Sequence, residues 1–342
     1  MNSKPFLERI DGPMAWRSAD LAGKASLSRR LDAGHLDDLD RYLERTRGKS
    51  LQEITLADAQ SPRIADFMRG AQDEVLNGRG AVIITGCDFE RYTREQFERI
   101  SWMLSLCMGI PISQSVFGEL IAHVRAVAHN PSGRSYRTTQ ELIAHTDTPD
   151  ALALMCIQTA KEGGLSTAVS ALAIHNELLR HHPEHLAPLY RGFPYYRVKQ
   201  ELPGEPPVSP YNVPVFCQVD GVVSCMYVRH LITNGAKALG IPLPEDLERA
   251  MDCFDKLAVH PDLAITYAFE RGDIQFVNNR TLLHSRTEFV DCDEPDLKRD
   301  LMRLWIDMPN GRRPTVPEMD PYQQPLSGGR GGVMAQPDKA AA

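Results

Sequence analysis

The stretch AHTDTPD, residues 144–150, places His145 and Asp147 two residues apart. Alternate residues of a β-strand point to the same face, so an imidazole nitrogen and a carboxylate oxygen would converge beside a sheet. Two such ligands leave a divalent metal ion under-coordinated, and a third has to come from elsewhere in the chain. His284, in FVNNRTLLHSRTEF directly after the strand-like run 273–277, is the best placed of the downstream histidines.

Two histidines and one carboxylate on one side of a metal ion form the facial triad of non-haem Fe(II) oxygenases. The opposite positions of the metal stay open for a cosubstrate and O₂. The two-residue spacing is weak evidence for a metal site by itself, because a neighbouring His and Asp more often form a surface pair or a hydrogen-bonded turn. A second pattern is therefore needed to favour a metal site.

RDLMRLWID, residues 299–307, supplies that second pattern. Arg299 and Arg303 are four residues apart and share one face of the predicted strand, with Leu301 between them. Two cations in an apolar strand are costly to bury unless they meet anions. Because the planar fork of arginine binds a carboxylate bidentately, the strand predicts an anion site.

With these motifs the chain resembles the TauD/TfdA family of Fe(II)/2-oxoglutarate dioxygenases, and more closely its clavaminate synthase-like branch. The matching pieces appear in the family's order over roughly residues 80–314: HTD (145–147), GGLS (163–166), GDIQFVNNRTLLHSR (272–286) and RDLMRLW (299–305). Together they are highly specific. The resemblance implies a double-stranded β-helix, or jelly-roll, that oxidises a small molecule with Fe(II), 2-oxoglutarate and O₂, giving succinate and CO₂.

The resemblance also implies roles for individual residues. The metal ligands correspond to His145, Asp147 and His284. Arg299 corresponds to the arginine that binds the distal carboxylate of 2-oxoglutarate, and Ser166 to a second partner of that carboxylate. Arg303 would then face the substrate, which we expect to carry a carboxylate or similar anion, as in an amino acid or natural-product acid. A permanent salt bridge of Arg303 to an acidic residue is the alternative.

Further substrate-binding candidates lie in segments that should approach the pocket. Asn278 is expected, with Asn279, to orient His284, although turn formation explains both equally well. Arg286 lies two residues beyond His284 on the same strand face, and an internal salt bridge is its alternative. The substrate-binding candidates are Arg303, Gln114, Tyr136, Arg137, Asn279 and Arg286.

Composition narrows the class of protein. The 342 residues are 42% hydrophobic and 24% charged, as in ordinary globular proteins. A net charge of −7 without a basic run gives no reason to expect a nucleic-acid or anionic-membrane partner. No apolar run reaches the roughly 20 residues of a membrane span, and no signal-peptide core is seen, so a cytoplasmic protein is expected. The seven cysteines form no CxxC pair and are expected to be free thiols.

The element pattern predicts one α+β domain in which helices flank a β core. Residues 1–314 are expected to form a single catalytic domain, with a helical N-terminal part over 1–78 and the β-helix core over about 79–314. The Gly-rich end, residues 315–342, is predicted to be disordered. The tract 203–214 is rich in proline and either borders the active site or forms a surface connection.

Two other functions use the same residues. A cupin-like or other jelly-roll metal-dependent hydrolase would not need Arg299 and would need a general base near the metal. A non-catalytic metal-dependent binding protein is the other alternative. Because Asp147 fills the carboxylate position that related halogenases replace by a small residue, hydroxylation is favoured; desaturation, epoxidation and ring closure stay open. The prime substrate and a homo-oligomeric state are not determined by the sequence.

Overall fold

The computed structural model describes residues 4–59, 61–127, 137–323 and 331–336. The α-helices within these residues are α1 Ala33–Arg45, α2 Pro62–Leu76, α3 Arg94–Met108, α4 Ala171–His181, α5 Leu186–Arg191, α6 Arg229–Leu239 and α7 Glu245–Ala258. None of the helices in the described part of the chain has both the length and the apolar composition needed to cross a membrane.

The strands, in chain order, are β1 Ser28–Arg30, β2 Ala81–Thr85, β3 Ile110–Ile112, β4 Ile121–Val124, β5 Leu142–His145, β6 Ala151–Gln158, β7 Glu162–Gly163, β8 Ser166–Ser170, β9 Phe216–Val219, β10 Val222–Cys225, β11 Ala264–Tyr267, β12 Ile274–Asn278, β13 Leu282–Arg286, β14 Phe289–Val290 and β15 Asp300–Asp307. The fold is thus a mixture of helices and several sheets, as the α+β prediction required.

Two sheets form the centre of the molecule. The larger has seven strands in the order β1-β2-β12-β6-β15-β3, with β4 also paired to β15, and the smaller has the order β11-β8-β13-β5. All pairs in the two sheets are antiparallel except β1 with β2. Two short ladders, β9 with β10 and β7 with β14, lie outside them.

Strand alternation divides the core into three layers. Val82 and Ile84 of β2 pack with α1, α2 and α3 on one side of the large sheet, whereas Ala81 and Ile83 belong to an inner cluster. The same inner cluster contains Ala168 and other residues of the small sheet, so the two sheets enclose it. The far side of the small sheet packs against α4 to α7 and the β9–β10 hairpin.

Local sequence signals explain several of these elements. Thr93 caps α3 and exchanges hydrogen bonds with Gln96 in a capping box. Ser170 caps α4, with its hydroxyl oxygen accepting from the backbone N–H of Ala173. The β9–β10 hairpin turns at Asp220 and Gly221, both with positive φ, as its two-residue turn requires.

Two predictions about the ends of the chain need correction. The N-terminal part is not purely helical, because β1 pairs in parallel with β2 and extends the large sheet. The disorder predicted beyond Pro314 is wrong for residues 315–323 and 331–336, where Met319 and Val333 are buried in the core. Burial of these apolar side chains offsets the cost of ordering the segment. Residues 324–330 and 337–342 lie outside the described residues.

Candidate active site

His145 and His284 occupy facing positions in the small sheet. His145 ends β5 and is the direct partner of His284 in the antiparallel pairing of β5 with β13. The centroids of their imidazole rings are 4.4 Å apart. Asp147 follows the end of β5, and its backbone N–H donates to Oδ1 of Asn279 at 3.0 Å. The fold therefore gathers three residues that lie up to 139 positions apart in the chain.

These three residues form a cluster suited to a metal ion. Each offers a ligand atom, and the three atoms lie within 4.8 Å of one another. Nδ1 of His145 donates to the carbonyl oxygen of Ile143 at 2.7 Å, which leaves Nε2 for a metal. Nδ1 of His284 is buried and has no hydrogen-bond partner among the described residues. A metal ion bound at this nitrogen would satisfy the unpaired polar atom, and two imidazoles with one carboxylate suit Fe(II).

The protonation states of the cluster favour metal binding. Burial raises the pKa of Asp147, but the positive charge of Arg303 and the imidazoles of His284 and His145 outweigh it, so the net pKa lies below the ordinary value. Burial lowers the pKa of His284 to about 3, with His145 contributing in the same direction. At neutral pH the cluster thus presents a carboxylate and a neutral His284, the forms that bind metal ions.

Two side chains of strand β15 contact one carboxylate oxygen of Asp147. Nε1 of Trp305 donates to Oδ2 of Asp147 at 2.9 Å, and Nη1 of Arg303 approaches the same oxygen at 3.4 Å. Nε of Arg303 donates to Oε1 of Gln114 at 2.8 Å. These contacts cross from the large sheet to the end of a small-sheet strand. They fix the orientation of the carboxylate and leave its other oxygen available to a metal ion.

The cluster lies in the wall of a cavity of about 1130 Å³. Its lining includes most of the side chains predicted for the site: His145, Asp147, His284, Ser166, Arg299, Arg303, Arg137 and Arg286. A space of this size accommodates a cosubstrate together with a small-molecule substrate.

Arg299 is buried between this cavity and a smaller one of about 240 Å³. Its guanidinium lies 5.3 Å from the ring centroid of Phe289, and Nη1 donates to the carbonyl oxygen of Val124 at 3.4 Å. No carboxylate of the described residues forms a salt bridge with it, and burial lowers its pKa. Gly164 has a φ of +65°, and a Cβ there would lie 3.2 Å from Nε of Arg299, so glycine allows the close approach.

Arg286 is a second buried cation against the Phe289 ring, with its guanidinium 4.6 Å from the ring centroid. Its Nη2 donates to the carbonyl oxygens of Thr138 and Gln140. Nε and Nη1 are buried without a partner among the residues that the structure describes. Burial, reinforced by the charge of Arg299, lowers the pKa of Arg286 to about 10. Arg286 therefore retains donors for an anion, and the internal salt bridge considered for it is not seen among these residues.

Three predicted residues lie outside the cavity wall. Asn279 is fully buried and forms hydrogen bonds with the backbone of Asp147 and Pro149. It was expected to orient His284 instead. Asn278 accepts from the backbone of Arg280 and donates to the carbonyl of Val75, so it forms the turn before β13. Gln114 is buried behind Arg303 and positions it. Tyr136, also predicted for the site, lies outside the described residues.

The structure adds cavity residues that the sequence did not single out. His230, at the start of α6, lines the cavity near His145, and burial lowers its pKa to about 4. Tyr196, Val198 and Lys199 line it as well, and the last two have φ values of 55° and 59°. Two consecutive non-glycine residues in this left-handed region of backbone conformation are uncommon. The proline-rich tract 203–214 contributes nothing to the wall.

Comparisons with known proteins agree with this geometry. The family model described as "Taurine catabolism dioxygenase TauD, TfdA family" matches residues 40–305. The FR-33289 synthase of Streptomyces rubellomurinus is 28% identical over 313 residues, which cover 89% of this chain and 92% of that protein. The taurine hydroxylase-like protein SAT17 of Stachybotrys chartarum is 25% identical, covering 86% of this chain and 79% of that protein.

Solved structures share the fold. An asparagine oxygenase in complex with Fe(II), 2S,3S-3-hydroxyasparagine and succinate matches with a TM-score of 0.62 and 16% identity, over 84% of this chain and 98% of that one. The non-haem iron oxygenase OrfP in complex with Fe, succinate and (3S)-hydroxy-L-Arg matches with a TM-score of 0.60 and 15% identity, over 82% of this chain and 94% of that one.

Proposed function

The chain belongs to the TauD/TfdA dioxygenase family, and from that premise we propose that His145, Asp147 and His284 bind the catalytic Fe(II). The protein is a 2-oxoglutarate-dependent non-haem iron dioxygenase. This membership sets aside the metal-dependent hydrolase and the non-catalytic binding protein. The iron, when bound, supplies the reaction with O₂ and 2-oxoglutarate that gives succinate and CO₂ and oxidises the substrate.

The observation that carries the assignment is the convergence of the three ligand atoms within 4.8 Å in the wall of the large cavity. Trp305 and Arg303 hold one oxygen of Asp147 and so fix the orientation of that ligand. The contact also explains why Arg303 is buried, since its charge lies against a carboxylate.

The cosubstrate site is proposed to lie between the metal cluster and Arg299. The carboxylate distal to the metal would receive donors from the buried guanidinium of Arg299, which forms no salt bridge among the described residues and is influenced only at longer range by Asp291 and Asp300. Ser166, in β8 next to β13, lines the same cavity and supplies a hydroxyl. A charge-assisted bidentate pair gives this carboxylate both affinity and orientation.

The substrate is proposed to be a small acid related to an amino acid, and hydroxylation is the favoured outcome. Asparagine oxygenase and OrfP, which share this fold, were captured with hydroxylated amino acids. The anion site was predicted at Arg303, but the contacts of that residue with Asp147 and Gln114 favour a positioning role. Arg286 lines the cavity wall, and two of its nitrogens have no partner among the described residues, so it is the better candidate for an anionic substrate group.

The two sheets that enclose the inner core are proposed to form the double-stranded β-helix implied by the family resemblance. The single catalytic domain predicted over residues 1–314 is proposed to include the described residues beyond 314, because Met319 and Val333 are buried in its core. The cytoplasmic location and a homo-oligomer stay predictions from the sequence.

Succinate formation tests the function directly. Purified protein with Fe(II), ascorbate and 2-oxoglutarate is expected to release succinate slowly alone and faster with an accepted substrate. A panel of amino acids and amino-acid-derived acids should contain compounds that stimulate turnover and gain one oxygen by mass. Stimulation only by neutral or cationic compounds without an acid group would contradict the proposed substrate class.

A further inference from the structure

A second group of metal-binding side chains lies in the helical layer, outside the cavity wall. The sequence HHPEH, residues 181–185, connects α4 to α5 and contains three histidines. His182 and His185 of this run come together with Cys253 of α7, and one ligand atom from each lies within 4.8 Å of the others. None of the three lines the large cavity, so the group is separate from the proposed iron site.

The turn between the helices explains how the two histidines meet. His182 follows the last residue of α4 and donates its N–H to the carbonyl of Leu178, and Pro183–His185 form a 3₁₀ turn. His182 precedes this turn in a non-helical conformation and His185 ends it, and the turn brings the two imidazoles side by side. Their ring centroids are 5.8 Å apart and the ring planes differ by 25°. The local backbone thus presents two nitrogen ligands on one side of the turn.

Cys253 completes the group from a neighbouring helix. The buried face of α7, including Met251 and Phe254, packs in the same core cluster as α4 and α5. Cys253 is half-buried beside this face and is a free thiol. Glu184 lies near both histidines, with Oε1 at 3.8 Å from Nε2 of His185 and 4.0 Å from Nδ1 of His182. A carboxylate at this position can act as the fourth ligand.

We propose that His182, His185 and Cys253 bind a zinc ion, with Glu184 or water in the fourth position. Zinc is favoured because it takes thiolate and imidazole together in a tetrahedral shell. Hard cations such as Mg²⁺ or Ca²⁺ require mainly oxygen ligands. Ligand atoms of a tetrahedral zinc site lie about 3.5 Å apart, given Zn–N and Zn–S bonds of roughly 2.0–2.3 Å. The side chains need to close by only about an ångström.

Binding would tie the turn between α4 and α5 to α7. Burial raises the pKa of the Cys253 thiol, so the metal must displace its proton to solvent when the Zn–S bond forms. Because the three ligands come from two separate segments, the bound ion would stabilise the folded state. Half-exposed His182 gives the ion a route to the site from solvent.

Cobalt(II) distinguishes this site from the iron site. A thiolate bonded to Co(II) gives a charge-transfer band in the near ultraviolet, whereas the proposed iron ligands contain no sulfur. Titrating the metal-free full-length protein with Co(II) should produce this band with about one equivalent bound at the second site, and added Zn²⁺ should abolish it. Cys253→Ala should abolish the band, and His185→Gln should weaken Co(II) binding at the site at least about 10-fold.

Two matched variants serve as controls. His181→Gln alters the neighbouring histidine outside the cluster, and Cys292→Ser removes a partly exposed thiol elsewhere; both should keep the band. Zinc content by mass spectrometry should fall by one ion per chain in Cys253→Ala, with circular dichroism unchanged. Absence of the band in the wild-type protein, its survival in Cys253→Ala, or its loss in Cys292→Ser would overturn the proposal.

Discussion

His145 and His284 are direct partners across the antiparallel strands β5 and β13, with ring centroids 4.4 Å apart. Their separation along the sheet is therefore set by strand pairing. Because hydrogen-bonded strands hold the two rings, the geometry of the metal site depends on the sheet itself. Loss of one ring should empty the site without disturbing the sheet.

His284→Ala is expected to abolish 2-oxoglutarate turnover and to reduce bound Fe(II) to near zero, because two protein ligands do not replace three. The loss of affinity should exceed the roughly 10–100-fold that changes to partners of ligands cause. Iron content after gel filtration and succinate release measure the effect. His260→Ala, which alters an exposed histidine, should keep both. Normal iron content in His284→Ala would show that the ligand set is different.

Arg299→Ala should raise the 2-oxoglutarate concentration needed for half-maximal turnover. Loss of a charge-assisted pair costs on the order of 1.5–3 kcal/mol, or about one to two decades in affinity. Arg271→Ala is a matched control, because Arg271 also stacks on a phenylalanine and donates to a carbonyl oxygen but lies outside the cavity wall. Steady-state titration of 2-oxoglutarate measures the shift. An unchanged requirement in Arg299→Ala would place the anchor elsewhere.

Trp305→Phe should weaken Fe(II) binding about 10–100-fold, because Asp147 loses the donor that orients it. Phenylalanine keeps an aromatic ring at this buried position but is smaller, so some loss of stability is expected in this variant and in its control alike. Trp102→Phe removes a comparable indole N–H, bonded to the carbonyl of Ile54, from the far helical layer and should leave iron affinity intact. Fe(II) titration of the two metal-free variants measures the difference in their iron affinity. Equal iron affinity for Trp305→Phe and the wild type would exclude this role.

Arg286→Leu should remove stimulation by substrate while slow, uncoupled decarboxylation of 2-oxoglutarate persists. The reason is that Nε and Nη1 of Arg286, which have no partner in the part of the chain that the structure describes, would no longer bind the substrate anion. Parallel measurements of succinate and of oxidised product give the coupling ratio. A rise in the 2-oxoglutarate requirement without loss of coupling would instead assign Arg286 to the cosubstrate. Circular dichroism controls for the lost bonds to Thr138 and Gln140.

The sequence predicted the parts of the site that depend on local strand geometry. His145 and Asp147 were predicted from a two-residue spacing, and Arg299 and Arg303 from a four-residue spacing on one strand. The structure brings all four to one cavity. The capping box at Thr93 and the hairpin at Asp220 were also local signals, and both are present.

The remaining contacts depend on tertiary packing. Arg303 contacts the carboxylate of Asp147 because β15 packs against the end of β5. No spacing in the sequence indicates this contact. Asn279 precedes His284 in sequence, but the turn before β13 directs its amide to the segment of Asp147. Strand β1 has three residues and no alternation of apolar and polar side chains that would predict it. It forms because its backbone pairs with β2.

Stability should also depend on a histidine outside the site. His175 is fully buried in α4, where Nε2 lies 3.0 Å from the hydroxyl of Tyr190, and burial lowers its pKa to about 4. The unfolded chain binds a proton near the ordinary pKa of about 6.5. The free energy of unfolding should therefore fall as the pH drops from about 6.5 to 4, by on the order of 3 kcal/mol from this group.

His175→Gln tests this dependence because it removes the titrating imidazole but keeps a polar side chain beside Tyr190. Its free energy of unfolding, measured by urea denaturation of the metal-free protein, should decline less steeply between pH 6.5 and pH 4 than that of the wild type. His181→Gln, which alters an exposed histidine at the end of the same helix, should retain the wild-type slope. Identical slopes for His175→Gln and the wild type would mean that His175 is protonated in the folded protein, or that its burial is relieved before the chain unfolds.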